Sequence, residues 1–321
     1  MGMRALYFNK FGSVDVLRYG ELADPTITAS DVLVQTTYIG LNYADIYRRR
    51  GTYHIESHDP YIDGYEGVGT VVAVGADVTH VGLGERVLFV DVPLANAELV
   101  RVSADHIIQV PDSLSDQDVA SIGLQGLTAD FLVHDLAQNV AGKRVLVHGI
   151  SGGVGQLLAQ ILVAQGAEVT GIVSTPAKQR LAQSLGVQQV FLRNTDWSTA
   201  CVATFDLVFD GAGVTLPTSL RVLKHRGRVI FYGMAGGNPP AIDPVALLAE
   251  SKSILTGDLW DYLDSFAARQ TRSQRLFQYV ARQQIKLNPS TIMPLAAGKA
   301  AHQLLESGKS TGKILLQPES K

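Results

Sequence analysis

The stretch that most constrains this chain of 321 residues lies at residues 144–166. Residues 144–148 form a short apolar run suited to a buried strand, and Gly149, Gly152, Gly153 and Gly155 follow it at once. Val154, Leu157, Leu158, Ile161 and Leu162 then recur at the spacing of one helix face, and Gly166 stands where a helix stops. A strand that turns through glycines directly into a helix leaves N–H groups unpaired at the helix start, where the backbone can approach an anion closely. With a further strand pattern at residues 168–174, this is the order that a dinucleotide pyrophosphate requires.

The alternation continues downstream. Thr175 and Pro176 supply a helix cap and a first helical position, Gly186 closes that helix, and strands are predicted at 189–192, 205–209, 228–232 and 253–256. A helix is predicted at 220–225. Such a pattern folds as a doubly wound parallel sheet, an α/β architecture. Upstream, short runs at 4–8, 32–39, 69–74, 86–90, 97–102 and 106–110 are separated by turn residues and predict a β-rich, barrel-like or sandwich-like domain. A helical stripe from Ser115 (Val119, Ile122, Leu124, Leu127, Phe131 and Leu132) is broken by Gly123 and Gly126. The tail holds helical patterns at 272–282 and 297–306 and a last strand at 313–317. A terminal strand after a helix forms no domain alone, so the tail is expected to fold back onto the β-rich part. The expected domains are 1–122 with 260–321, and 123–259.

Which dinucleotide binds is decided where the second strand ends. An NAD site places an acidic residue there for the ribose hydroxyls. This strand ends at Ser174 and Thr175, followed by Lys178 and Arg180, and hydroxyls with cations suit the 2′-phosphate of NADPH. Lys178 and Arg180 also fit the solvated face of a short helix, and Arg193, after the next strand, fits either the adenine end of the cofactor or a plain surface position.

Composition removes other classes. With 27 Lys and Arg against 30 Asp and Glu the net charge is −3, so no broadly basic surface invites nucleic acid. The single cysteine, Cys201, permits neither an intrachain disulfide nor a multi-cysteine zinc site, and it is expected to be inert. No run approaches the ~18 apolar residues of a membrane span, and residues 1–29 carry Lys10, Asp15, Arg18, Glu21 and Asp24 instead of an apolar signal core. A cytoplasmic location is the default. His54 and His58 lie near Glu56, Asp59 and Asp63, but the Asp59-Pro60 step marks a polar loop, not a metal site. His148 is expected to be a satisfied core histidine.

Through residues 40–47, 64–72, 142–160 and 301–309, and along nearly the whole chain, the sequence resembles the quinone oxidoreductases of the zeta-crystallin-like branch of the medium-chain dehydrogenase/reductase superfamily. Ile150 and Val163 depart from that pattern. The resemblance implies a GroES-like catalytic domain from both chain ends, a Rossmann domain between them, and substrate in the cleft. It also implies a homodimer whose sheets continue across subunits at residues 253–256. Asn42 and Tyr65 stand where the superfamily's zinc enzymes place a cysteine and a histidine, so the resemblance implies no metal. Hydride would then pass from NADPH to an acceptor that is already electrophilic. A quinone is the first choice, an enone or alkenal the alternative, and a non-catalytic NADPH sensor the rival. To the glycine loop (Ser151, Gly152, Gly153 and Val154) and to Ser174, Thr175, Lys178 and Arg193, the resemblance adds Thr128, Gly211, Tyr232, Gly233, Met234 and Lys313 as cofactor neighbours. It places Asn42, Asp45 and Tyr47 as the catalytic candidates.

Overall fold

A computed structural model describes residues 2–319 of the chain. The chain forms two compact units: Met1–Gln125 with Leu263–Phe277 and Leu287–Lys321, and Gly126–Tyr262 with Gln278–Lys286.

The second unit is built on six parallel strands. Their order across the sheet is Gln189–Leu192, Glu168–Val173, Arg144–His148, Phe205–Asp210, Leu223–Phe231 and Ser253–Leu255. The chain starts in the middle, winds outward to one side and then returns to wind outward on the other, which is the doubly wound arrangement. Strands in such a sheet are covered on both faces, so they read as nearly continuous apolar runs. Leu146, Ile172, Val208 and Val229 accordingly pack with Trp197 and Phe205 into one buried cluster. One expected boundary is corrected. The helix placed at 220–225 is Leu216–Val222, because Pro217 fits its first turn and Leu223 is already extended (φ −71°, ψ 141°) and opens the next strand.

In the first unit the long strand Asp31–Leu41 organises a seven-stranded sheet, pairing antiparallel with Glu66–Val74, Leu99–Ser103 and Ile314–Gln317. Leu316, Leu315 and Ile314 lie opposite Ile39, Gly40 and Leu41, so the C-terminal strand returns to the N-terminal unit as expected. A smaller sheet joins Arg18–Ala23, Gly2–Phe8 and Tyr61–Ile62. Strands Arg18–Ala23, Tyr61–Ile62 and Thr291–Pro294 were not expected. None of the residues in the first is buried, and three of four in the last are exposed, so neither carries the apolar alternation that marks a strand. The tail helix begins at Phe266 instead of 272, because Ser265 Oγ accepts from Ala268 N at 3.2 Å and starts it a turn and a half earlier.

Helix Asp116–Phe131 bends at Gly123 (φ −41°, ψ −106°), where the apolar stripe was interrupted. No helix among the described residues is long and apolar enough to cross a membrane.

Ile150, one of the two departures from the resembled pattern, is fully buried. Its side chain fills space left by Gly171 on the neighbouring strand, where a Cβ would come within 2.6 Å of Ile150 Cγ2. The two residues are complementary in volume. Gly171→Val is therefore expected to overpack the site and destabilise the fold by roughly 1–3 kcal/mol, and Ile150→Ala in the same chain should recover most of that loss. Urea denaturation of the two single variants and the pair measures the coupling; simple additivity would refute it.

Candidate active site

Strand Arg144–His148 delivers the backbone to Gly149, whose φ of +64° turns it toward helix Gly153–Ala164. Gly152 caps that helix with no side chain of its own to bond the first-turn N–H groups, and no acidic residue lies in the turn. These N–H groups and the positive end of the helix dipole make a seat for an anion. Gly155 lets helix and turn touch: a Cβ there would lie 2.8 Å from Ile150 Cα. Ser151 is buried, its carbonyl accepting from Gln156 Nε2 at 2.8 Å, while Gly153 and Val154 are half-buried beside the seat. A pyrophosphate fits this turn.

The neighbouring strand ends in Asp210, which is fully buried. Its carboxylate accepts from Ala212 N at 2.9 Å, Gly213 N at 3.2 Å, and the Thr215 and Ser219 hydroxyls at 2.7 Å each. Since the Ser219 proton goes to Asp210, Ser219 Oγ accepts from His148 Nε2 at 3.0 Å. Burial lowers the pKa of His148 and keeps it neutral, so this histidine is a satisfied core residue. Tyr232 lays its ring over Gly211, where a Cβ would come within 2.6 Å of the ring, and Ala235 N donates to Gly211 O at 3.0 Å. Gly211, Tyr232, Gly233 and Met234 are thus brought together at the carboxyl ends of adjacent strands. Burial, reinforced by Asp210, pushes the Tyr232 phenol well above its ordinary value.

Ser174 is exposed at the end of its strand, and Thr175 Oγ1 accepts from Lys178 N at 3.3 Å to cap helix Pro176–Ser184. Lys178 is half-buried. Its pKa is lowered by burial first and by the charge of Arg193 second. Arg193 is held where the next strand ends, its N–H donating to Val173 O at 2.7 Å. A dianion relieves two cations so placed. Thr128 is half-buried on helix Asp116–Phe131.

The first unit gathers the remaining candidates. Asn42 caps helix Tyr43–Arg49, and Asp45 reaches back so that its carboxylate accepts from Asn42 N at 2.8 Å. Asp45 is fully buried, and burial pushes its carboxyl up to about 6 against the opposing pull of Arg48. Asp63, also buried, is pushed up by burial and by the charge of Asp45. The Arg48 guanidinium lies 3.5 Å from the centre of the Tyr65 ring and donates to Asp45 at 3.3 Å and to His54 O at 3.0 Å. The half-buried Tyr47 ring lies 5.5 Å from that of Tyr43 and 6.4 Å from that of Tyr53.

Asn42 is committed at every position of its amide. Oδ1 accepts from Lys313 Nζ at 3.0 Å and Gln125 Nε2 at 3.2 Å, while Nδ2 donates to Glu66 Oε1 at 2.7 Å and Gly40 O at 3.3 Å. Lys313 is ion-paired with Glu66, both buried. The other Glu66 oxygen accepts from Leu124 N at 2.7 Å, just past the bend at Gly123. A Cβ at either Gly40 or Gly123 would collide with the Glu66 carboxylate. Glu66 and Gln125 were not among the sequence candidates. Glu66 itself lies in the matching segment 64–72 and Gly40 in another, which was a signal for Glu66; nothing local marks Gln125.

Among the described residues no group of three or more His, Cys, Asp or Glu side chains is placed to hold a metal ion. His54 pairs with Glu56 at 2.9 Å, whereas His58 Nδ1 meets Pro60 O at 2.6 Å. Cys201 sits in the apolar cluster of the second unit, where burial pushes its thiol up.

Residues 28–148 match the family model described as the alcohol dehydrogenase GroES-like domain, and residues 153–267 match that of the zinc-binding dehydrogenases. The chain is 30% identical to a quinone oxidoreductase of Pseudomonas aeruginosa over 98% of its own length and 99% of that protein's. It is equally 30% identical to a 2-haloacrylate reductase of Burkholderia, with 98% and 99% of the two chains covered. The solved structure of Escherichia coli quinone oxidoreductase complexed with NADPH superposes with a TM-score of 0.92 at 27% identity, covering 98% of this chain and all of that one. The chain belongs to the quinone oxidoreductase family of the medium-chain dehydrogenases/reductases.

The raised carboxyl of Asp45 has a measurable sign. A native pKa near 6 against 3.8 in the unfolded chain means that the native state holds the proton more tightly between those values. Stability therefore falls as pH rises from about 4 to about 6 and is level above. Measured against Asp45→Asn by urea denaturation, the wild type should lose on the order of 1–3 kcal/mol across that window. A difference that does not change with pH would contradict the assignment.

Proposed function

We infer that this chain is an NADPH-dependent oxidoreductase that reduces a quinone. The observation that carries the cofactor is the glycine turn into helix Gly153–Ala164 together with the Lys178 and Arg193 cations after the second and third strands. Bound NADPH supplies a hydride from its nicotinamide ring. Gly152, Gly153 and Val154 would hold the pyrophosphate on backbone N–H groups, with Ser151 shaping the turn. Lys178 and Arg193, beside Ser174 and Thr175, would hold the 2′-phosphate, and Thr128, Gly211, Tyr232, Gly233 and Met234 would border the rest of the cofactor. Residues 123–259 take the cofactor role in this reading, and 1–122 with 260–321 the catalytic one.

On the acceptor side we assign Tyr47 to orientation by its ring, and Asp45 to fixing the start of helix Tyr43–Arg49 through Asn42 N. Asn42, with its amide fully committed, acts by holding its neighbours in register and not by reaching outward. Lys313 keeps one ammonium hydrogen beyond its bonds to Glu66 and Asn42. Where the superfamily's zinc enzymes place a histidine ligand, this chain has Tyr65 with its ring under the Arg48 guanidinium. A quinone needs no Lewis acid, because hydride addition gives an aromatic hydroquinone anion that takes its proton from water. A conjugated carbonyl is the second reading, supported by the likeness to the 2-haloacrylate reductase.

Wild-type chain with NADPH is expected to reduce 1,4-benzoquinone faster than a medium-chain enone, read as loss of absorbance at the nicotinamide band. Lys178→Ala should raise the KM for NADPH roughly tenfold or more and leave that for NADH unchanged. Equal effects on the two cofactors would remove the 2′-phosphate assignment, and NADPH oxidation by neither acceptor would remove the reading.

We also propose that the protein is a cytoplasmic homodimer. A lone, buried cysteine suits a reducing compartment. Strand Ser253–Leu255 is the sheet edge, and the helix before it, Pro244–Glu250, leaves Val245 67% and Leu248 78% exposed. An apolar patch beside an open strand edge is what a second copy covers. Leu248→Asp is expected to halve the mass seen by light scattering; an unchanged mass, or a wild type already monomeric, would exclude this interface.

A further inference from the structure

We propose that Gln125 is a ligand-binding residue whose side-chain carbonyl receives a hydrogen bond from an N–H or O–H donor. That donor is carried either by the carboxamide of the nicotinamide ring or by a hydroxyl of the reduced acceptor. The proposal rests on the oxidoreductase reading above and extends it to a residue that neither motif nor resemblance marks.

The argument is one of polarity passed along a chain of bonds. An ammonium group only donates and a carboxylate only accepts. Lys313 Nζ therefore meets the oxygen of the Asn42 amide, and Glu66 Oε1 meets its nitrogen. With the Asn42 oxygen facing it, the end of the Gln125 amide that approaches at 3.2 Å must be the nitrogen. The other end of Gln125 is then a carbonyl oxygen, pure acceptor, with no freedom to flip. That oxygen is buried and has no partner among the described residues.

A buried carbonyl without a donor is unfavourable, and one whose polarity is enforced by an ion pair cannot relieve itself by rotating. It is satisfied when a donor arrives. A quinone offers only acceptor oxygens and gains nothing there. A carboxamide N–H does, and so does the O–H that appears when the acceptor is reduced, an interaction made late in the reaction and absent from its start.

Two titrations of the full chain separate the donors. One follows NADPH fluorescence in the binary complex with no acceptor present; the other follows hydroquinone by calorimetry. Gln125→Met, which keeps the length of the side chain and removes the oxygen, is expected to weaken one of the two roughly tenfold, with Tm within a few degrees of wild type. Loss in the first assigns the carboxamide, loss in the second the hydroxyl. Gln125→Glu, whose protonated carboxyl can donate to Asn42 Oδ1 and keep an acceptor oxygen at its other end, should regain most of the lost affinity at a pH where that carboxyl is protonated, and guards against a variant that merely folds badly. Unchanged affinity in both titrations overturns the proposal, as does an equal loss in the Met and Glu variants. A wild type that binds neither NADPH nor hydroquinone is a different failure, since it overturns the oxidoreductase reading as well.

Discussion

The ion pair between Glu66 and Lys313 is the contact on which the first unit's site depends. Neither partner has appreciable contact with water, so each charge is tolerable only because the other is there. Removing one alone typically costs about 3–5 kcal/mol, far more than an exposed pair is worth. The pair ties strand Glu66–Val74 to the approach of the C-terminal strand, orients Asn42 at the head of helix Tyr43–Arg49, and supplies Leu124 N with an acceptor just past the bend at Gly123. Three elements and one bend share two charges.

The second unit solves the same problem differently. Asp210 is as deeply buried as Glu66, yet the groups bonded to it are backbone N–H groups and hydroxyls, with no cation among them. A carboxylate can be stabilised in this way when several dipoles point at it. The choice has a functional logic. The dipoles bonded to the carboxylate shape the Gly211–Thr215 loop, and the helix start capped by Gly152 is a separate anion seat. Positive charge is kept for the ends of the second and third strands, at Lys178 and Arg193.

Features encoded within a few residues were legible in the sequence. The strand, glycine turn and helix at residues 144–164 needed only local periodicity and glycine spacing, and the strands at Arg144–His148 and Gln189–Leu192 fell where expected. Thr175 could be read as a cap because the signal, a hydroxyl before Pro176, lies in adjacent positions. Strand Arg18–Ala23 escaped notice because a strand with no buried residue has no alternation to read. Asn42 was found through family resemblance, but its commitments were invisible: Lys313 lies 271 positions away, Glu66 24 and Gln125 83. The departure at Ile150 was likewise visible alone and explicable only with Gly171 across the sheet. Local chemistry writes itself into neighbouring letters; polarity relays and volume exchanges do not.

Glu66 and Lys313 also bound a loop of chain 247 positions long, and the six-stranded sheet lies inside it. Joining the ends of so long a loop is entropically costly while its interior is unfolded. Once the enclosed sheet has formed from its own local crossovers, the ends have far less chain to search through. The first unit thus has a natural order of assembly. Its early strands can pair before the chain is complete, but the buried Glu66 carboxylate gains its counter-charge only when Lys313 and the final strand reach it.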